Sequence, residues 1–467
     1  MLTLSDSTRR DFLKIGTLGF AGLGLPRLLA AQEAPGLVKD RSVVLLFLNG
    51  GPTHIETFDP KMTAPADVRS VTGEVKTALP GVTFGGTFPR MARLARKLAV
   101  IRNLGHGGPD HNDAKRIMTS GVEPQLYARP RDEQERDVRM SEITAKLCGI
   151  TDSRRGMPTS LVAGPTAVSA DPGLRKEYDE EFRGSGELGK AYLAFNPAGS
   201  SDLLRDMRLN LPLERFEDRR GLLKRLDVLK GALDARGVMD AQDRYTQQAA
   251  DVLLGGISGA FDLSKESPAT REAYDTGKFT FPSVVNERLR KLGTPAHLGK
   301  QMLLARRLCE SGAKFVTVTS HGWDMHDDRN NPDHNMATLM PVMGGAVDKA
   351  VAAFIEDVES RGLSDKILLV ITGEFGRTPR LGPAGGRDHW SKLTPVVLYG
   401  GGLRMGQVVG ESDRGAAEPA GTGYAPQHLL ATVMHSLFDL GELRVNRALP
   451  PEIVRRITEL PPIRELV

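Results

Sequence analysis

The 467-residue chain has only two cysteines, Cys148 and Cys309, far apart and in no metal-ligand spacing. That excludes a disulfide framework and a thiolate zinc module, and leaves one bridge at most or, more simply, two buried free thiols. Aromatic residues make up 5% of the chain, and the basic residues exceed the acidic ones by four, 62 against 58. A balance this even supplies no cationic field for counterion release, so nucleic acid is not an expected partner. There is no Walker or Rossmann glycine fingerprint after a strand, no internal repeat and no low-complexity tract. With 40% hydrophobic and 26% charged residues, the composition is that of a folded globular protein with a sizeable core.

The first residues read as an address rather than as structure. Arg9-Arg10-Asp11-Phe12-Leu13-Lys14 precedes a short, mildly apolar run containing Gly16, Gly19, Gly22 and Gly24, too short to span a bilayer. Paired arginines followed by Phe-Leu-Lys resemble a twin-arginine export signal. We therefore expect residues 1–31 to be removed, with cleavage near Ala31, and the mature protein to be periplasmic or secreted, exported folded and without an integral membrane segment.

In the mature chain, short runs rich in Val, Leu and Ile at 41–48, 98–102, 159–163, 314–319, 367–372 and 395–399 each close on Gly, Ser, His or Asn. Apolar runs without alternation are the mark of strands buried on both faces. Helical periodicity lies between them, most clearly at 334–361, where Met336, Leu339, Met340, Met343, Val347, Val351 and Phe354 recur at helical spacing. The expectation is an α/β protein with a mainly parallel central sheet and helices on both faces. Residues 170–300 hold few strand candidates and many charged residues at helical spacing, which reads as a helix-rich insertion or cap within one domain over 32–467.

Polar residues gather where the strands end, which is where open α/β sheets bind ligands. His106, Asp110, His111 and Asp113 follow the strand at 98–102. His321, Asp324, His326, Asp327 and Asp328 follow that at 314–319; Glu374 and Arg377 follow 367–372, and Asp388-His389 precede 395–399. Carboxylates and imidazoles drawn from several strand ends are the donor set of a divalent metal site. Arg102, Lys115, Arg116, Arg377, Arg380 and Arg387 lie near the same loops and suit an anionic substrate, although salt bridges explain such residues equally well.

These motifs together are similar to a known family. Asn49-Gly50-Gly51-Pro52, His106-Gly107-Gly108-Pro109-Asp110-His111, Gly322-Trp323-Asp324-Met325-His326, Gly373-Glu374-Phe375-Gly376-Arg377 and Gly386-Arg387-Asp388-His389-Trp390 resemble the DUF1501 proteins over nearly the whole mature chain. The resemblance implies an alkaline phosphatase-like fold, related to the sulfatases, and an exported metal-dependent hydrolase of sulfate or phosphate esters. It implies a divalent ion (zinc, calcium, manganese or magnesium) held by Asp324, His326 and His389, with Glu374, His111 and Asn49 as further ligands. Asn49 is neutral where the superfamily carries an aspartate, and Phe375 stands in place of an imidazole. His111 falls at the position of the superfamily nucleophile and is expected to act as general acid or base, with Lys115 and Arg377 stabilising anionic charge. The loss of a hydroxyl or thiol nucleophile leaves a second reading open, a non-catalytic scaffold holding an anionic glycan or a protein. The resemblance also implies an exported cytochrome-like partner.

Overall fold

The structure, a computed structural model, describes residues 36–467 except 109, 123–136, 153, 170, 172, 175–176, 198–256, 284, 286–294 and 331–332. The expected export signal lies outside the described residues, as does much of the expected insertion. Within 170–300, the described elements are short helical segments such as Ser258–Phe261 and Pro268–Ala273. Part of this stretch packs on the sheet itself: the Phe182 ring stands 5.0 Å from that of Phe47.

Six expected strands form, as β1 (Ser42–Asn49), β4 (Leu98–Ile101), β5 (Ser160–Ala163), β6 (Phe315–His321), β7 (Ile367–Thr372) and β10 (Val396–Gly400). A seventh, β11 (Gln407–Val409), completes a sheet of order β11-β4-β10-β7-β1-β6-β5. All neighbours pair in parallel except β10, which runs against both β4 and β7. Two small ribbons flank the sheet: β2 (Glu74–Lys76) with β3 (Thr83–Gly85), and β8 (Gly376–Arg377) with β9 (His389–Trp390).

β1 lies inside the sheet, between β7 and β6, and is buried along its whole length. Its side chains alternate between two cores, as the pleat requires. Val44, Leu46 and Leu48 join the cluster under α3 (Leu298–Glu310) and α4 (Met336–Ser360). Val43, Leu45 and Phe47 join that under α2 (Met140–Cys148) and α5 (Pro426–Leu437), on the same side as Met118 of α1 (His111–Ser120). The sheet is therefore covered on both faces, as expected. By length and composition α4 could cross a membrane, but 72% of its most apolar window is buried inside the protein, which is what a core helix requires. Among the described residues, neither Cys148 nor Cys309 is joined in a disulfide.

Candidate metal centre

The carboxyl ends of β1, β6 and β7 come together because their registers align. Asn49, the last residue of β1, pairs with His321, the last of β6, while Phe47 pairs with Thr372, the last of β7. The chain leaves β1 through Gly50 and Gly51, at φ +117° and +80°. A side chain could not fit at either: a Cβ at Gly50 would lie 2.5 Å from the Asp324 backbone nitrogen, and one at Gly51 2.5 Å from the Phe375 ring. This bare turn lets the loops carrying Asp324 and Phe375 close over the end of β1.

Three elements then deliver four side chains to one point. His111 opens α1, whose preceding residue, Asp110, accepts hydrogen bonds from the Asn112 and Asp113 amides and whose last turn closes on left-handed Gly121. Asp324 and His326 lie on the loop after β6, and His389 is fixed by pairing with Arg377 across the β8–β9 ribbon. The Nε2 atoms of His326, His111 and His389 lie 2.9, 3.2 and 3.5 Å from Asp324 Oδ1. His326 Nε2 and His389 Nε2 are 2.9 Å apart. The four groups offer ligand atoms that all lie within 4.8 Å of one another.

These separations match a metal site. Tetrahedral nitrogen and oxygen ligands at about 2.0–2.1 Å from zinc stand roughly 3.3 Å from each other. Three converging imidazole nitrogens cannot all present lone pairs to a carboxylate without a cation or protons between them. In the metal-free protein that role falls to protons. Burial works against a charged His111, but hydrogen bonds to Asp324 and Glu374 outweigh it and raise its pKa to about 9. His326 is raised too, chiefly by its bond to Asp324. Burial would raise Asp324, yet hydrogen bonds from the three histidines and the Arg377 charge hold it far below the usual carboxylate range.

Asp324, His326 and His389, expected as ligands, are thus brought together, while the other sequence-derived candidates take different places. His111, expected both as an additional ligand and as an acid or base, contributes Nε2 to the same cluster. Glu374, expected as a ligand, instead stands behind His111: its Oε1 is 2.8 Å from His111 Nδ1 and accepts the Gly50 amide at 2.8 Å. Asn49 is turned away, its Nδ2 lying 2.9 Å from His321 Nδ1, because the register sets these two residues side by side. Arg377 is wholly buried and donates to the carbonyls of Gly50, Gly51 and Arg387 and to Asp324 Oδ1 at 2.5 Å, so it braces the site. Lys115 reaches Glu181 at 2.6 Å. Arg387 is committed to Glu56 and to backbone carbonyls, and Arg102 to Asp59 and the Thr83 carbonyl.

Two partners went unassigned in the sequence. Asp388 lies 2.8 Å from His326 Nδ1, and its adjacency to His389 was the available signal. His106 Nε2 stands 2.6 Å from the Glu374 carbonyl, and burial pulls its pKa down to about 4. Phe375, whose ring is 4.4 Å from that of His389 and 5.1 Å from that of His111, forms an apolar wall behind both.

A mainly parallel α/β sheet, closed on both faces and carrying a three-histidine, one-aspartate cluster at its carboxyl edge, defines the class. The chain belongs to the DUF1501 family, described as proteins of unknown function, whose model matches residues 40–443. No curated protein matches the sequence. Among solved structures, the chain is similar to a sulfatase from Pseudoalteromonas sp., at 14% identity and a TM-score of 0.35, covering 84% of this chain and 68% of that one. It is also similar to a phosphonate monoester hydrolase from Silicibacter pomeroyi, at 11% identity and 0.41, covering 89% and 76%. A third is an alkaline phosphatase from an Antarctic bacterium, at 13% and 0.32, covering 80% and 95%.

Proposed function

We propose that the protein is an exported, metal-dependent hydrolase of sulfate or phosphate esters. The observation that carries this reading is the convergence of His111, Asp324, His326 and His389, with donor atoms inside 4.8 Å, at the carboxyl edge of the sheet. All four side chains keep some solvent contact, from 25% for His389 to 43% for Asp324, as substrate access demands. Three imidazoles and one carboxylate favour zinc, manganese or another first-row ion over calcium or magnesium, which prefer all-oxygen shells. Bound there, such an ion would supply Lewis acidity, polarising an ester oxygen and lowering the pKa of water towards neutrality. The chain's own part is to orient: Arg377 grips Asp324, and Asp388 and Glu374 hold two of the rings. The paired arginines Arg9 and Arg10 support export.

A non-catalytic binding role is the second reading. It is favoured by the fact that Lys115 and Arg377, the cations expected to grip an anionic substrate, both have carboxylate partners within the protein. Multiple turnover separates the two readings. Mature protein loaded with zinc or manganese is expected to hydrolyse members of a panel of sulfate and phosphate esters, and His389→Ala is expected to lose that activity. Stable ester binding without product would favour the scaffold, and undiminished turnover by His389→Ala would remove the hydrolase reading.

A further inference from the structure

Glu374 has features that neither a ligand nor a packing residue needs. It is wholly buried. A carboxylate taken out of water is costly unless it is paired and hydrogen-bonded. Here both bonds fall on one oxygen: Oε1 takes the Gly50 amide and faces His111 Nδ1, each at 2.8 Å, while buried Oε2 has no hydrogen-bond partner among the described residues. The backbone is anchored as well, since the Glu374 carbonyl meets His106 Nε2 at 2.6 Å and His106 Nδ1 accepts the Gly108 amide at 2.9 Å. One residue thereby ties the end of β7 to the loops after β1 and β4 and to the first residue of α1. Its carboxylate is absent from the four-group cluster it backs.

We propose that Glu374 is the positioning residue of the metal centre, holding the Nδ1–H of His111 so that Nε2 is the nitrogen offered to the ion. This inference rests on the metal reading above. An imidazole ligates through one nitrogen only when the other carries the proton, and the group that accepts that proton selects the tautomer and fixes the ring plane. His111 Nε2 is the atom that stands 3.2 Å from Asp324 Oδ1, which agrees with Nδ1 being held from behind. The same device recurs at His326, whose Nδ1 is 2.8 Å from Asp388 and whose Nε2 is 2.9 Å from Asp324. The two differ in setting. Asp388 is 65% exposed and screened by water, whereas Glu374 is at 0%, so the Glu374 bond acts in a lower dielectric and its loss has the larger effect.

The test compares zinc binding by the full-length mature protein and by Glu374→Gln, Asp388→Asn and His111→Gln, with calorimetric affinity and stoichiometry as readouts. Glu374→Gln is expected to keep the stoichiometry and lose about 10–100-fold in affinity, the usual effect of removing such a partner, with a smaller loss for Asp388→Asn. A merely structural role would not move two further readouts. In the metal-free protein titrated until the His111 ring is neutral, its nitrogen-15 shifts should change from one tautomer to a mixture in Glu374→Gln, and the Glu374→Gln and His111→Gln losses should be strongly non-additive. Should Glu374→Gln not fold, Glu374→Asp, which keeps the charge at shorter reach, is expected to show an intermediate affinity. Unchanged affinity in either folded variant, or additive losses, would overturn the inference. Loss of the ion altogether from folded Glu374→Gln would make Glu374 a ligand and overturn it too. If the wild type binds no metal, the metal reading fails first and the inference falls with it.

Discussion

The Arg377 guanidinium meets Asp324 Oδ1 at 2.5 Å from a position with no solvent exposure, while the carboxylate it grips is 43% exposed. The arginine thus reaches the site from inside the protein, and its other donors go to the carbonyls of Gly50, Gly51 and Arg387. Arg377→Met would leave those buried carbonyls without donors and release Asp324. We expect a loss of at least about 2 kcal/mol in urea unfolding of the metal-free protein, with weakened zinc binding. Arg377→Lys should rescue little, because one ammonium cannot span this fork. A change below about 0.5 kcal/mol would contradict the bracing role.

Metal uptake should be coupled to proton release. With its pKa raised to about 9, His111 is protonated at neutral pH in the metal-free protein and must lose the Nε2 proton to ligate. Apparent zinc affinity is expected to rise roughly tenfold per pH unit between pH 7 and 9. Calorimetry in two buffers of different ionisation enthalpy measures the protons released directly, and a release of none would count against His111 as a ligand.

His54 gives a pH dependence of stability away from the site. Burial pulls its pKa from 6.5 down to about 4, with the bond to the Ala416 carbonyl partly opposing the shift. A lowered histidine pKa means that the unfolded chain binds the proton more readily. The contribution is therefore complete above about pH 6.5 and is lost as pH falls towards 4, by roughly 3 kcal/mol in all. His54→Gln should be less stable at pH 7 and should lack this part of the acid slope. Denaturation curves for the two proteins with parallel pH dependence would refute the assignment.

Burial pushes the Cys309 thiol up to about 12, so almost no thiolate is present at pH 8. Native protein treated with iodoacetamide should carry label on half-buried Cys148 and not on Cys309, with both labelled after unfolding. Peptide mass spectrometry distinguishes these outcomes, and rapid native labelling of Cys309 would show that its surroundings open.

The fold was legible in the sequence because strands buried on both faces are uniformly apolar, as β1, β6 and β7 are. β11 escaped notice since Gln407 and Val408 are only half-buried at the sheet edge, and three residues carry no period. The reversed direction of β10 leaves no mark on composition. At the site, Asp324, His326 and His389 could be picked out as donors after strand ends, but reach could not. Asn49 and Glu374 occupy comparable chain positions, yet register turns the first to His321 and the Gly50 turn draws the second behind His111. Lys115 shares a helix face with His111 four residues earlier, and its partner Glu181 comes from distant sequence, which no local pattern reveals.

The central claim is that His111, Asp324, His326 and His389 form one metal site, and metal content tests it most directly. Untagged protein, analysed by plasma mass spectrometry beside His389→Ala, is expected to carry about one first-row divalent ion per chain that the variant lacks. Wild-type protein that holds no ion, even after reloading with zinc or manganese, would contradict the account.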